Sequence, residues 1–185
     1  ALAEKAIEIC GVFLLRAYLD GSDTHARQKM HSASCLAGLA FNSASLGLNH
    51  GMAHQLGATF HIPHGRANAM LLPHIIEFNS DINKHSKSQA KYLPAVERYK
   101  TVARILGLSS YNTIMTVRNL VNWVQFMLKE MDIPLSVSQM GKISKEEYFA
   151  EIERMAEAAL ADGCTATNPR VTSKADVMKI YESLW

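Results

Sequence analysis

His50 and His54 stand four residues apart, and His64 follows fourteen after His50, in the run Gly47-Leu48-Asn49-His50-Gly51-Met52-Ala53-His54-Gln55-Leu56-Gly57 and His61-Ile62-Pro63-His64-Gly65-Arg66. Five of the eight histidines (His50, His54, His61, His64 and His74) fall in this neighbourhood. Imidazole is the commonest metal ligand and the side chain that titrates nearest neutral pH, so the cluster suits metal binding or proton transfer. On a helix, residues four apart project from one face. Pro63 lacks a backbone N–H and Gly65 permits a close turn, which places His64 at a helix break. A chain turning back there brings His64 toward the face carrying His50. Taken alone, the pair fits equally well two histidines hydrogen-bonded in a core or wet at a surface. It is not the metalloprotease pattern, because Gly51 stands where the general-base glutamate should follow the first histidine. A metal held by imidazoles would want further ligands, often a carboxylate. The chain has no acidic residue between Asp23 and Glu77, which points to ligands outside these residues. His61 and His74 fit exposed or supporting roles better than ligation, and Cys164 by itself reads as a small buried apolar residue.

The elements around the cluster have helical periodicity. Ala3, Ile7, Cys10, Leu14 and Tyr18 recur at steps of three and four, and Asp20-Gly21-Ser22-Asp23 then breaks the pattern. Thr24 to about Gly47 predicts a long helix in which Ala33, Ala37, Ala40 and Ala44 let a neighbour approach. Gly38 inside it costs about 1 kcal/mol against alanine, which predicts tight packing at that point. The histidine helix follows, then a helix from about Arg66 to Phe78 that Pro73 should kink. Residues 79 to 94 are polar and predict a loop with at most a short helical turn. Tyr99 to Leu106 predicts a helix ended by Gly107. Ile114, Val117, Val121, Val124, Leu128 and Met131 form the cleanest apolar stripe, stopped before Pro134. Ser144-Lys145-Glu146-Glu147 is a capping box opening a helix through Tyr148, Ile152, Met155 and Ala159, which Gly163 ends. Ser173 is placed to cap a last helix reaching Trp185. With no internal repeat and no strand alternation, the fold class is all-α: one helical, bundle-like domain over residues 1–185.

The 185 residues suffice for one well-buried domain. A net charge of +2, with no dense lysine-arginine run, gives no footprint for nucleic acid. No apolar stretch approaches the roughly 20 residues of a membrane span. Cys10, Cys35 and Cys164 are odd in number and widely spaced, so neither a disulfide framework nor a thiolate zinc site is encoded, and a reducing cytoplasm is the expected compartment. The first residues lack a signal-peptide order and no initiator methionine is present, so the chain is expected to be a fragment of something longer.

Three blocks carry a resemblance. Ala26-Arg27-Gln28-Lys29-Met30-His31-Ser32-Ala33-Ser34-Cys35-Leu36-Ala37-Gly38-Leu39-Ala40-Phe41, the two histidine stretches running on to Ala67-Asn68-Ala69, and Ala161-Asp162-Gly163-Cys164-Thr165-Ala166-Thr167-Asn168-Pro169-Arg170 together resemble the iron-containing (group III) alcohol dehydrogenases. The likeness covers essentially the whole chain and is nearest the branch acting on ethanol- and propanol-sized alcohols. Such enzymes pair an N-terminal nucleotide-binding α/β half with a C-terminal helical half of dehydroquinate synthase-like fold. The resemblance implies that this chain is the helical half, with the nucleotide-binding domain absent from it.

The same resemblance assigns residues. The metal, Fe(II) or Zn(II), is held by one Asp and three His, of which His50 and His64 would be two. The other two ligands belong to a segment preceding this region. His54 matches the non-ligand histidine lining the nicotinamide and substrate pocket, while Phe41 and Cys164 match positions walling the substrate cavity. The implied reaction interconverts short primary alcohols and aldehydes with NAD or NADP. The implied partners are the small substrate, the N-terminal domain and, through an exposed apolar face, further copies of the same protein. The isolated chain is then expected to be inactive and to hold metal weakly. Competing assignments are a zinc glycerol dehydrogenase or dehydroquinate synthase-like enzyme of the same architecture, and a non-catalytic helical oligomerisation module with structural histidines.

Overall fold

The computed structural model describes residues 1–82 and 94–185. Among them are eight α-helices, two short 3-10 turns and no strand: α1 (Leu2–Leu19), α2 (Thr24–Ala44), α3 (Leu48–Phe60), α4 (His64–Ser80), α5 (Pro94–Ile105), α6 (Thr113–Glu130), α7 (Lys145–Ala161) and α8 (Lys174–Ser183). The all-α expectation holds.

Two apolar cores share α4. One gathers Leu48, Met52 and Leu56 of α3, Met70, Leu71 and Ile75 of α4, Tyr148, Ile152 and Met155 of α7, and Val177 and Tyr181 of α8. The other joins Ile76 of α4 to Val96 and Ala103 of α5 and to Val117, Val121, Val124 and Leu128 of α6. The α6 stripe is therefore buried as its periodicity requires. Inside the first core the Tyr148 hydroxyl donates to the Tyr181 carbonyl at 2.9 Å, and the Tyr181 hydroxyl donates to the Met52 carbonyl at 2.9 Å. Burial pushes both phenols far above the ordinary tyrosine range, so both stay protonated donors that tie α7 and α8 to α3.

Local signals set several boundaries. Ser144 and Glu147 form the expected capping box of α7, and Ser173 with Asp176 forms a second at α8. Asp23 caps α2 by accepting from the Ala26 N–H at 2.9 Å and pairs with Arg16 across the α1–α2 turn at 2.7 Å. Gly11 is where α1 comes down on α5, since a Cβ there would overlap the Leu106 side chain.

Other boundaries differ from expectation. The helix assigned to Tyr99–Leu106 begins at Pro94, because proline suits the first helical position, where its missing N–H costs nothing. Asn79 and Ser80, assigned to a loop, complete α4, while residues 83–93 of that loop lie outside the described residues. Pro73 sits buried inside α4 without ending it. The tight packing expected at Gly38 is absent: a Cβ there would meet nothing within 4 Å. Only Ala33 of the small-residue series is fully buried, and Ala44 is exposed at the end of α2.

Candidate active site

α3 and α4 supply the histidine cluster, and the link between them decides its shape. Phe60 ends α3, His61 adopts a left-handed conformation (φ 55°, ψ 31°), and Pro63 precedes the first residue of α4. His61 makes the turn; Gly65 lies inside α4 without a positive φ. The reversal sets His64 against the face that carries His50 and His54. The His50 and His64 ring centroids are 5.4 Å apart, and those of His54 and His64 are 5.5 Å apart with planes inclined by 22°. His50 and His54 are 6.1 Å apart and meet edge to face.

Burial, and then the neighbouring His64 and His54 rings, hold His50 below the ordinary histidine value. It is therefore a neutral imidazole near pH 7, the form that coordinates metal. Asn68, one turn into α4, places its amide nitrogen 3.2 Å from His64 Nε2, and Asn49 donates to the Asn68 side-chain oxygen at 2.8 Å. His64 thus stands in a polar frame built by the two helices. Two imidazoles facing each other from adjacent helices suit a borderline divalent ion such as Fe(II) or Zn(II) in donor chemistry.

The chain does bring one carboxylate to the cluster, from a segment distant in sequence from the acid-free stretch around the histidines. Asp162, which caps the C-terminus of α7, places Oδ2 2.7 Å from His54 Nδ1. Its Oδ1 accepts the Cys164 N–H at 2.8 Å. Burial alone would raise the Asp162 carboxyl, but hydrogen bonds from the His54 ring and from the Cys164 N–H and thiol outweigh it and hold the group below the ordinary aspartate value. Burial, with the hydrogen bond to Asp162, pushes the Cys164 thiol up, so it is not a thiolate at neutral pH. Donor atoms of His54, Asp162 and Cys164 lie within 4.8 Å of one another. Cys164 therefore sits beside His54 and Asp162 at the edge of the cluster. Phe41 lies on the last turn of α2, half exposed, lining a shallow depression with Leu46 and Thr167. His74 lies away from the cluster, with its Nδ1 3.1 Å from the Ser183 hydroxyl.

The segment after Asp162 braces the site. Asn168 accepts from the Leu48 N–H at 3.3 Å, so it satisfies a free donor at the start of α3. The same side chain exchanges hydrogen bonds with Asn79 at 2.9 and 3.2 Å, reaching the end of α4. Arg170 donates to the Phe78 carbonyl, pairs with Asp81 at 3.2 Å and stacks over the Phe78 ring at 4.3 Å. Sequence reasoning did not assign Asp162, Asn168 or Arg170 these roles. The clue was present in the polar residues Asp162, Thr165, Thr167, Asn168 and Arg170, which follow no helical period.

A model of the Fe-containing alcohol dehydrogenase family, C-terminal part, matches residues 1–185. The chain belongs to this family. It is 39% identical over 184 residues to an NADPH-dependent butanol dehydrogenase of Clostridium saccharobutylicum, covering all of this chain and 44% of that protein. It is 38% identical to a 1-propanol dehydrogenase of Citrobacter freundii, again over the whole chain but 47% of the relative. In structure it superposes on a 1,3-propanediol oxidoreductase with a TM-score of 0.85 at 31% identity, covering the whole chain and 44% of that protein. An alcohol dehydrogenase from Oenococcus oeni gives 0.84 at 33% identity, over 98% of this chain and 44% of that one. The chain thus spans less than half the length of these relatives and matches the helical, C-terminal portion of a two-domain family. Among its described residues no helix is long and apolar enough to cross a membrane.

Proposed function

We propose that these residues form the helical half of a metal-dependent, NAD(P)-linked alcohol dehydrogenase interconverting short primary alcohols and aldehydes. The observation that carries this is the approach of His50 and His64 to 5.4 Å across the α3–α4 reversal, in a chain that belongs to the iron-containing family. His50 and His64 would hold Fe(II), or Zn(II), together with an Asp and a His supplied from outside these 185 residues. A nucleotide-binding domain of the same protein would carry the nicotinamide. When bound, the metal would supply Lewis acidity at the substrate oxygen, and the nicotinamide would serve as hydride acceptor or donor. His54, one turn from His50 and stacked near His64, exchanges the hydroxyl proton with solvent. Cys164 and Phe41 wall the space for a short carbon chain. Self-association and a reducing cytoplasm suit the exposed apolar residues of α1 and α2 (Val12, Leu19, Leu39 and Phe41) and the three free thiols.

The test uses the full-length protein and the 185-residue chain side by side, with added Fe(II) or Zn(II), NAD(H) or NADP(H), and propanol or butanol. Metal-dependent turnover is expected only from the full-length protein. His50→Ala and His64→Ala should each strip metal and lower kcat/KM by about 100-fold or more, in line with loss of a Lewis acid worth several kcal/mol. Full turnover and full metal content in the His50→Ala protein would overturn the assignment and favour structural histidines.

A further inference from the structure

We propose that Asp162 is a positioning residue whose carboxylate fixes His54 as the Nδ1–H tautomer, leaving Nε2 as the nitrogen that takes the substrate's proton. The inference rests on the proton-transfer role given to His54 above. Geometry supplies the first support. An ionised carboxylate can only accept hydrogen bonds, so the nitrogen 2.7 Å from Oδ2 must bear the hydrogen. That separation is the length of a charge-assisted bond. Free histidine in water favours the opposite tautomer, with the hydrogen on Nε2. A histidine released from Asp162 would therefore present an N–H where a proton acceptor is needed.

The second support is that Asp162 is itself held in place. Its Oδ1 takes the Cys164 N–H at 2.8 Å, and its backbone carbonyl takes the Thr165 N–H at 3.0 Å. The Thr165 hydroxyl in turn donates to the Ala159 carbonyl at 2.6 Å, locking the turn after α7. This turn lies directly on Gly51, three residues before His54 on the same helix, where any Cβ would overlap the threonine hydroxyl. Among the described residues Asp162 has no lysine or arginine partner, so the His54 ring is the group its charge can serve.

The step balances as follows. As the alcohol is oxidised, its carbon-bound hydrogen leaves with the electron pair to the oxidised nicotinamide. The hydroxyl proton passes to His54 Nε2, and a C=O double bond forms. The resulting imidazolium carries hydrogen on both nitrogens and is stabilised by the Asp162 carboxylate until Nε2 releases its proton to solvent. Aldehyde reduction runs the same path in reverse.

Imidazole-15N-labelled full-length protein loaded with Zn(II), observed by long-range 1H–15N correlation with His54→Gln for assignment, tests the tautomer directly. His54 in the unmodified chain should show a protonated Nδ1 and a bare Nε2, and Asp162→Ala should turn it predominantly to the Nε2–H form. In the full-length enzyme, Asp162→Ala and the isosteric Asp162→Asn should lower kcat by about 10- to 100-fold, with metal content and alcohol KM nearly unchanged. Circular dichroism identifies any variant that has lost its helices, and the isosteric variant then decides. A His54 with Nε2–H in the unmodified chain, or one still Nδ1–H in folded Asp162→Ala, overturns the proposal. Full turnover by His54→Ala would remove the proton-transfer role itself. A loss with His54→Ala but none with either Asp162 variant would remove only the positioning role.

Discussion

Gly51 and Thr165 meet where α3 packs on the turn that ends α7, so closely that a Cβ on the glycine would overlap the threonine hydroxyl and lie 3.1 Å from the Ala159 carbonyl oxygen. The position that holds a general-base glutamate in a metalloprotease helix is occupied here by glycine, whose lack of a side chain lets a second element touch. That contact carries Asp162 to His54.

Gly51→Ala should therefore destabilise the fold although alanine is the better helix former. Overpacking of this kind costs about 1–3 kcal/mol, against the roughly 1 kcal/mol that alanine gains in a helix. Urea unfolding of the two chains measures the difference. Equal or greater stability in the alanine variant would mean that the α7 turn is free to retreat from α3.

Asn168→Ala removes the Asn168 partner of the Leu48 N–H and of the Asn79 side-chain oxygen in a partly buried setting. A loss of about 1–3 kcal/mol is expected, with the earliest hydrogen-exchange changes at the first turn of α3 and the last turn of α4. A stability within 0.5 kcal/mol of the parent, roughly the scatter of neutral surface changes, would deny the brace.

Tyr181→Phe removes the donor to the Met52 carbonyl and keeps the ring. The expected cost is about 1 kcal/mol, read as a lower denaturation midpoint with an unchanged slope. Because the phenol is raised well beyond its ordinary range, this contribution should be constant from neutral to mildly alkaline pH.

How much of this was legible in the chain differs from element to element. The stripes of α6 and α7, the box at Ser144 and the cap at Ser173 are local rules, and each marked a helix that forms, although the last ends at Ser183 rather than Trp185. His50 and His64 were legible because the turn joining them lies within the same short stretch. Asp162 was not: its partner is 108 residues away, and no periodicity links a C-cap to a remote helix face. Gly38 and Gly51 look alike on paper, yet one faces open space and the other a threonine, a difference decided entirely by what packs opposite. The start of α5 carried a readable mark, Pro94 with Glu97 in the first turn, which its polar surroundings obscured.

Acid should loosen the α1–α2 turn before the cores. The Ala26 N–H, and after it the Arg16 guanidinium, hold the Asp23 carboxyl below the ordinary aspartate value. A group depressed in the folded state stabilises fully above its unfolded value, near 3.9, and that contribution is lost as pH falls through the lower folded value. Hydrogen exchange in the first turn of α2, followed as pH falls from 6 to about 3, should speed up relative to α6. Asp23→Asn, which keeps a capping oxygen without the charge, should flatten the difference. An unchanged pH response in that variant would assign the effect elsewhere.

The His54–Asp162 bond also has a history within each molecule's lifetime. His50 and His64 need only the α3–α4 reversal to meet, whereas Asp162 must close a loop of 108 residues onto a face already made. Loop-closure entropy delays such a contact until the elements between have collapsed. On a ribosome the metal-facing half of the cluster can assemble while α7 and α8 are still being synthesised, and the proton-handling half cannot. A chain interrupted before Asp162 would keep its imidazoles together and lack the carboxylate that tells one of them which nitrogen to use.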